Sequence, residues 1–144
     1  MPTRARWSPP TLSATDVRLL VWVAVAQATV RGIDYLTLRT PGGRVTEVIE
    51  EAIPFPWWGT FFLIGAFFLA VGMLRDCQLT RWLGHWISAA AYCSLAVGII
   101  VPALGRPWAD GIRSGTVLAL ITVLHVLMAL RTGMPRGRHA HDAA

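Results

Sequence analysis

The chain has 144 residues, of which 54% are hydrophobic and only 15% charged, and its formal net charge is +5. Soluble domains carry about 25% charged residues, so the composition argues against an ordinary soluble domain. The positive charge does not indicate a nucleic-acid partner, because the arginines stand singly at the ends of apolar segments and form no basic patch.

Four apolar stretches of near-bilayer length fill most of the chain, at residues 17–38, 57–74, 82–104 and 112–130. A helix needs about 20 mostly apolar residues to cross the hydrocarbon core, where lipid offers the backbone no hydrogen-bonding partner. The sequence therefore predicts an all-α integral membrane protein with a single membrane domain over residues 1–144. Its four transmembrane helices are expected to form an antiparallel bundle, since two of the connections are short.

The first span follows residues 1–15, which lack the pattern of a cleavable signal peptide and are expected to stay as a cytoplasmic tail. Ser13 or Thr15 is predicted to cap its helix. The part of this span without a charged residue, residues 19–30, is only twelve residues long. A form with three inserted spans and a first segment outside the bilayer is therefore an alternative.

Three polar residues share one face of the first span, because Gln27, Arg31 and Asp34 follow the i, i+4, i+7 spacing of a helix. A charged side chain costs about 2.5–3.5 kcal/mol at the centre of the bilayer and so points to function. Arg31 and Asp34 lie in the outer third of the span, where snorkelling lowers that cost. Two interpretations stay open: a structural pair or anchor at the outer interface, and the lining of a polar pore or cavity.

The longest connection follows the first span and carries an amphipathic pattern at residues 45–53, apolar on one face and acidic on the other. This pattern predicts a short helix in the first outer loop. It would either lie on the membrane surface or cap the outer end of the bundle.

Tryptophans stand at several predicted membrane boundaries, where amphipathic rings favour the headgroup level. We expect five of them to be interface anchors: Trp57, Trp58, Trp82, Trp86 and Trp108.

Small residues four apart let membrane helices approach closely, and Gly111, Gly115 and Ala119 form such a ridge on the fourth span. The ridge could pack within one chain or between chains.

His85 and His125 both lie toward the predicted cytoplasmic side, and packing of spans three and four would bring them to a comparable depth. Paired imidazoles can bind a metal or haem. No third ligand and no haem-attachment motif is apparent, so the two histidines are only weak metal candidates and no cofactor is predicted.

The sequence contains no nucleophile elbow, phosphate-binding loop or zinc-protease motif, so no enzymatic activity is predicted. Arginine counts in the loops, eight on one face against five on the other, favour an orientation with both termini in the cytoplasm, including the tail at residues 131–144.

All thirteen basic residues are arginine and asparagine is absent, which indicates a GC-rich genome. With its size and spans, the chain resembles the small four-span membrane proteins that actinobacterial phages encode near their lysis genes, some of them described as holins. The resemblance is carried by Ile33-Asp34-Tyr35-Leu36, Pro56-Trp57-Trp58-Gly59, Trp82-Leu83-Gly84-His85 and Gly105-Arg106-Pro107-Trp108-Ala109-Asp110-Gly111.

The resemblance implies a protein that forms homo-oligomers in the inner membrane and opens lesions that release or activate an endolysin. In that role the ridge on the fourth span would serve subunit contacts, and the polar face of the first span would meet water. A non-catalytic accessory protein, either a partner subunit or an agent of superinfection exclusion, is the alternative. A small redox or transport protein that uses His85 and His125 is a third class.

Overall fold

A computed structural model describes residues 13–37, 53–105 and 112–133. This part of the chain is all-helical, and its four helices are each long and apolar enough to cross a membrane. They are α1 (Ala14–Thr37), α2 (Phe55–Leu74), α3 (Gln78–Leu104) and α4 (Ile112–Thr132). The helix predicted at residues 45–53 lies outside the described residues except for Ile53.

Helix α1 begins at Ala14, before the apolar stretch, because Ser13 and Asp16 form a capping box. The Asp16 N–H donates to Ser13 Oγ (3.1 Å), and the Ser13 N–H donates to an Asp16 carboxylate oxygen (2.9 Å). Two backbone donors that the first turn leaves without partners are thus satisfied. Of the two predicted caps, Ser13 is the one that the structure shows.

Only residues 75–77 separate α2 from α3. The Arg75 N–H donates to the Val71 carbonyl and the Cys77 N–H to the Gly72 carbonyl, both at 2.9 Å. Asp76 between them has a φ of +48°, so the helix ends in the left-handed residue of a Schellman motif. This compact ending lets α3 pack directly on α2.

Glycines set the distance between α2 and α3. A Cβ atom on Gly72 would lie 2.6 Å from the Arg81 backbone nitrogen, and one on Gly84 would lie 2.7 Å from the Leu69 backbone nitrogen. No side chain fits at such separations, so the two backbones touch. Close backbone contact of this kind is how membrane helices gain packing energy when lipid supplies no hydrophobic driving force between them.

Glycines also set the distance between α1 and α2. A Cβ atom on Gly59 would lie 2.7 Å from the Gly32 carbonyl oxygen, and one on Gly32 would lie 2.7 Å from Leu63 Cγ. Leu36 also reaches Gly59, where its Cγ would be 2.8 Å from an added Cβ. Helix α1 therefore crosses α2 at a glycine on each helix.

Helices α3 and α4 pack along a seam that includes Gly115, where a Cβ atom would lie 2.5 Å from Ile100 Cγ1. Near one end of the seam, the Gln78 side-chain amide donates to the Thr132 carbonyl. The aromatic core of the four helices is centred on Phe62 and Tyr92, whose ring centroids are 4.7 Å apart and whose side chains are fully buried.

Replacing Gly59 by Ala tests the α1–α2 contact. Alanine is favoured over glycine within a helix by about 0.5–1 kcal/mol, so a loss must come from the contact itself. We expect the free energy of unfolding to fall by about 1–3 kcal/mol, the usual cost of overpacking. Unfolding in mixed SDS–detergent micelles measures it.

Gly105→Ala is the matched control, because among the described residues an added Cβ there meets only the Pro102 carbonyl oxygen, at an ordinary 3.7 Å. Equal stability of the two variants would show that α1 does not cross α2 at Gly59.

Candidate functional site

Two groups of polar side chains stand out in the described helices, one along α1 and one between the helices. The first group borders an open groove lined by Gln27, Arg31 and Asp34 together with Val23, Ala26 and Val30. The three predicted polar residues thus line one groove along α1.

Arg31 contacts Tyr35, one turn further along α1. Its Nη1 donates to the Tyr35 hydroxyl at 3.4 Å, and its guanidinium carbon lies 6.0 Å from the Tyr35 ring centroid. The Tyr35 ring in turn stacks on Phe55, with centroids 5.6 Å apart. Helix α1 therefore holds its arginine against an aromatic stack that continues into α2.

Asp34 is exposed, and the described residues contain no salt bridge between it and Arg31. The pairing of these two residues, one of the structural roles that the sequence left open, is therefore not what the structure shows. The i, i+4 spacing that brings Arg31 to Tyr35 is as favourable as the i, i+3 spacing to Asp34. The aromatic ring adds a cation–π contact.

Gln27 links the outer face of α1 to the interior, because its side-chain carbonyl accepts a hydrogen bond from the Tyr92 hydroxyl on α3. The sequence placed Gln27 on the polar face but did not predict this partner. A hydroxyl buried without a partner is costly, and the contact with Gln27 removes that cost for Tyr92.

His85 on α3 and His125 on α4 are brought together, with 3.1 Å between their Nδ1 atoms. Each is only 2% exposed. The Tyr92 ring stacks on His125, with centroids 5.5 Å apart. The two imidazoles, whose comparable depth followed from the sequence, thus belong to one interior cluster with Tyr92 and Gln27, which we call the polar core.

Ser88 lies on the same face of α3 as His85 and Tyr92, at i+3 and i−4 from them. Its side chain is fully buried, and its hydroxyl has no hydrogen-bond partner in the described part of the chain. The spacing of His85, Ser88 and Tyr92 on one helical face is the sequence signal that could have revealed the polar core.

The centre of the predicted ridge on α4 packs against other residues of the same chain. Gly115 is buried against Ile99 and Ile100, and Ala119 packs against the aromatic core. Gly111 lies outside the described residues. The intramolecular alternative therefore accounts for Gly115, which has no free surface to offer a second copy.

The predicted tryptophan anchors occupy different environments. Trp57 is 60% exposed, whereas Trp58 is 6% exposed and its indole N–H donates to the Ile53 carbonyl at 3.1 Å. Trp58 is thus a core residue, because its position on α2 faces the aromatic core. Trp82 and Trp86 pack edge to face at 6.1 Å, and Trp108 lies outside the described residues.

The two cysteines are free thiols in different surroundings. Cys93 is exposed on α3, whereas Cys77 precedes α3 and its sulfur accepts a hydrogen bond from the Thr80 hydroxyl at 3.1 Å. That hydrogen bond lowers the pKa of the Cys77 thiol below its ordinary value.

No protein-family model, curated protein or solved structure matches this chain. The arrangement of its own side chains is therefore the basis for functional inference.

Geometry limits what the two histidines can bind. A haem iron between the two Nδ1 atoms would hold them about 4 Å apart, at the roughly 2 Å length of a metal–nitrogen bond. The separation of 3.1 Å is too short for that. Within the described residues, no group of three or more histidine, cysteine or acidic side chains could hold a metal ion.

A double-mutant cycle on Tyr92 and Gln27 tests the polar core. Tyr92→Phe and Gln27→Leu each remove one partner, and the coupling free energy of unfolding should be about 0.6–1.7 kcal/mol, the range for hydrogen bonds between membrane helices. SDS unfolding of the four proteins measures this coupling.

Thr60→Val replaces Tyr92→Phe in the control cycle, since the Thr60 hydroxyl donates to the Pro56 carbonyl of its own helix. Coupling in the control cycle equal to that of the Tyr92 cycle would contradict a direct contact.

Proposed function

We propose that this chain is a holin-like protein of the bacterial plasma membrane. Its four helices would form an antiparallel bundle with both termini in the cytoplasm. Copies of it would assemble and permeabilise the membrane, which would release or activate a phage endolysin.

The observation that carries the proposal is the outward direction of the polar face of α1. Gln27, Arg31 and Asp34 border an open groove, and Asp34 is exposed, although the Gln27 carbonyl also bonds inward to Tyr92. A single chain in lipid bears the cost of this polar surface, which is about 2.5–3.5 kcal/mol for a charged residue at the bilayer centre and smaller near the interface. That cost disappears when the face meets water.

Assembly of several copies around a water-filled lesion would relieve this cost. Helix α1 is the best candidate for the lesion-facing element, because it is the least buried of the four helices. Only 17% of its most apolar 18-residue stretch is buried within the chain, against 28–44% for the other helices. Gly115 is not expected to form subunit contacts, because it already packs against Ile99 and Ile100 of α3.

The central test is inducible expression in bacteria beside an endolysin that lacks a secretion signal. Abrupt lysis with loss of membrane potential is the expected outcome. Continued growth with an intact potential, at verified membrane expression, would contradict the proposal and favour the accessory-protein alternative.

Asp34→Leu sharpens the same experiment. The Asp34 side chain is exposed and forms no salt bridge among the described residues, so the fold should persist while one charge is lost from the proposed lesion-facing surface. We expect lysis to be delayed or abolished. Ile33→Leu is the control on the same helix, as Ile33 is 52% exposed and apolar; identical lysis times for both variants would remove α1 from the mechanism.

The orientation can be tested at Cys77, which precedes α3 and would face the cytoplasm. A membrane-impermeant maleimide should label Cys77 in inverted vesicles and leave it unlabelled in intact spheroplasts. Because the pKa of this thiol is lowered, its labelling rate should begin to rise at a lower pH than that of an ordinary thiol.

Cys77→Ser, which retains Cys93, is the control for this labelling. Labelling of Cys77 from outside intact spheroplasts would reverse the proposed topology.

A further inference from the structure

The facing imidazoles of the polar core have no part in the proposed lysis. His85 and His125 come from different helices, 40 residues apart in sequence, and their Nδ1 atoms face each other at 3.1 Å. One neutral ring can donate a hydrogen bond to the other at this distance. The same arrangement also presents two nitrogen lone pairs, once both Nδ1 atoms are unprotonated, to one point between the rings.

The separation fits a metal ion bound off the line between the two nitrogens. At metal–nitrogen bonds of about 2.0–2.1 Å, tetrahedral coordination places the nitrogens about 3.3 Å apart and trigonal coordination about 3.5 Å. The observed 3.1 Å therefore needs an adjustment of only a few tenths of an ångström. Both geometries require at least one further ligand.

A third donor lies beside the two rings. A cavity of about 10 Å³ is lined by His85, His125 and Met128, with Leu20, Ala24 and Leu124 completing its wall. This volume has room for about one water-sized sphere. Met128 is 8% exposed and follows His125 at i+3, so the thioether and the imidazole share one face of α4.

The charges around the two histidines favour a monovalent metal ion over a divalent one. The three side chains would be neutral ligands, and the acidic residues of the described part of the chain, Asp16, Asp34 and Asp76, are all exposed. Arg81, one turn before His85, adds a positive charge that is paired with Asp76 at 3.4 Å. Because the desolvation cost rises steeply with ionic charge, this interior disfavours a divalent ion much more than a monovalent one.

We propose that His85, His125 and Met128 form a binding site for Cu(I). Thioether and imidazole are ligands that this soft monovalent ion accepts. The site is independent of lysis, since its ligands lie between α3 and α4 and not on the outer face of α1.

The test measures competition for Cu(I) between the purified full-length protein and the chromophoric chelator bathocuproine disulfonate, under ascorbate. The parent protein carries Cys77→Ser, Cys93→Ala, His139→Ala and His141→Ala, which removes the other thiols and the histidines of the tail as Cu(I) ligands. We expect one Cu(I) per chain. X-ray absorption should then show nitrogen scatterers and one sulfur scatterer.

Two variants and one control assign the ligands. His125→Asn keeps a hydrogen-bonding group but loses the imidazole, and should weaken binding by at least about 100-fold; Met128→Leu should weaken it by about tenfold and remove the sulfur signal. Met73→Leu should leave binding unchanged, because Met73 packs against the same apolar cluster as Met128 but does not line the cavity.

Circular dichroism and gel filtration establish that each variant is folded. If His125→Asn does not fold, the comparison of Met128→Leu with Met73→Leu carries the test. Failure of the parent to take Cu(I) from the chelator, tighter binding of Zn(II) than of Cu(I), or equal affinities for Met128→Leu and Met73→Leu would overturn the site and leave the two histidines as a hydrogen-bonded pair.

Discussion

The backbone contact between α2 and α3 is the constraint on which the rest of the structure depends. Gly72 and Gly84 bring the two helices so close that no side chain separates them at these positions. This contact fixes the rotation of α3, so that Tyr92 meets Phe62 on α2. The same rotation directs His85 toward α4. In lipid, where apolar surface gains little from association, such close packing is the principal source of helix attraction.

Two kinds of polar surface result, and they suggest different roles. Inside, Tyr92 bonds to Gln27 and His85 meets His125, so most polar atoms of the polar core have partners. Outside, the face of α1 that carries Asp34 borders an open groove. The interior contacts hold the helices together, whereas the exposed face is unfavourable for one isolated chain in lipid. The proposed assembly around water makes use of that difference.

Much of the architecture could be predicted because the spans depend on local properties. Hydropathy and length are sufficient to predict four membrane-length helices, and the structure has four helices of that kind. The comparable depth of His85 and His125 followed from the packing of consecutive helices, whereas their direct contact did not. The partners of individual side chains were harder to predict from the sequence. Trp58 stands at a predicted membrane boundary yet is buried, because its environment depends on which face of α2 meets the aromatic core.

Local sequence patterns were sufficient to predict the all-helical class, the four apolar stretches and the polar face of α1, because each depends on residues close together in the chain. The tertiary structure, in contrast, brings Arg31 against Tyr35 instead of Asp34 and packs Gly115 against Ile100. It also brings Tyr92 to Gln27 across 65 residues. These outcomes depend on how each helix is rotated about its axis, and that rotation is set by contacts between helices that no local pattern specifies.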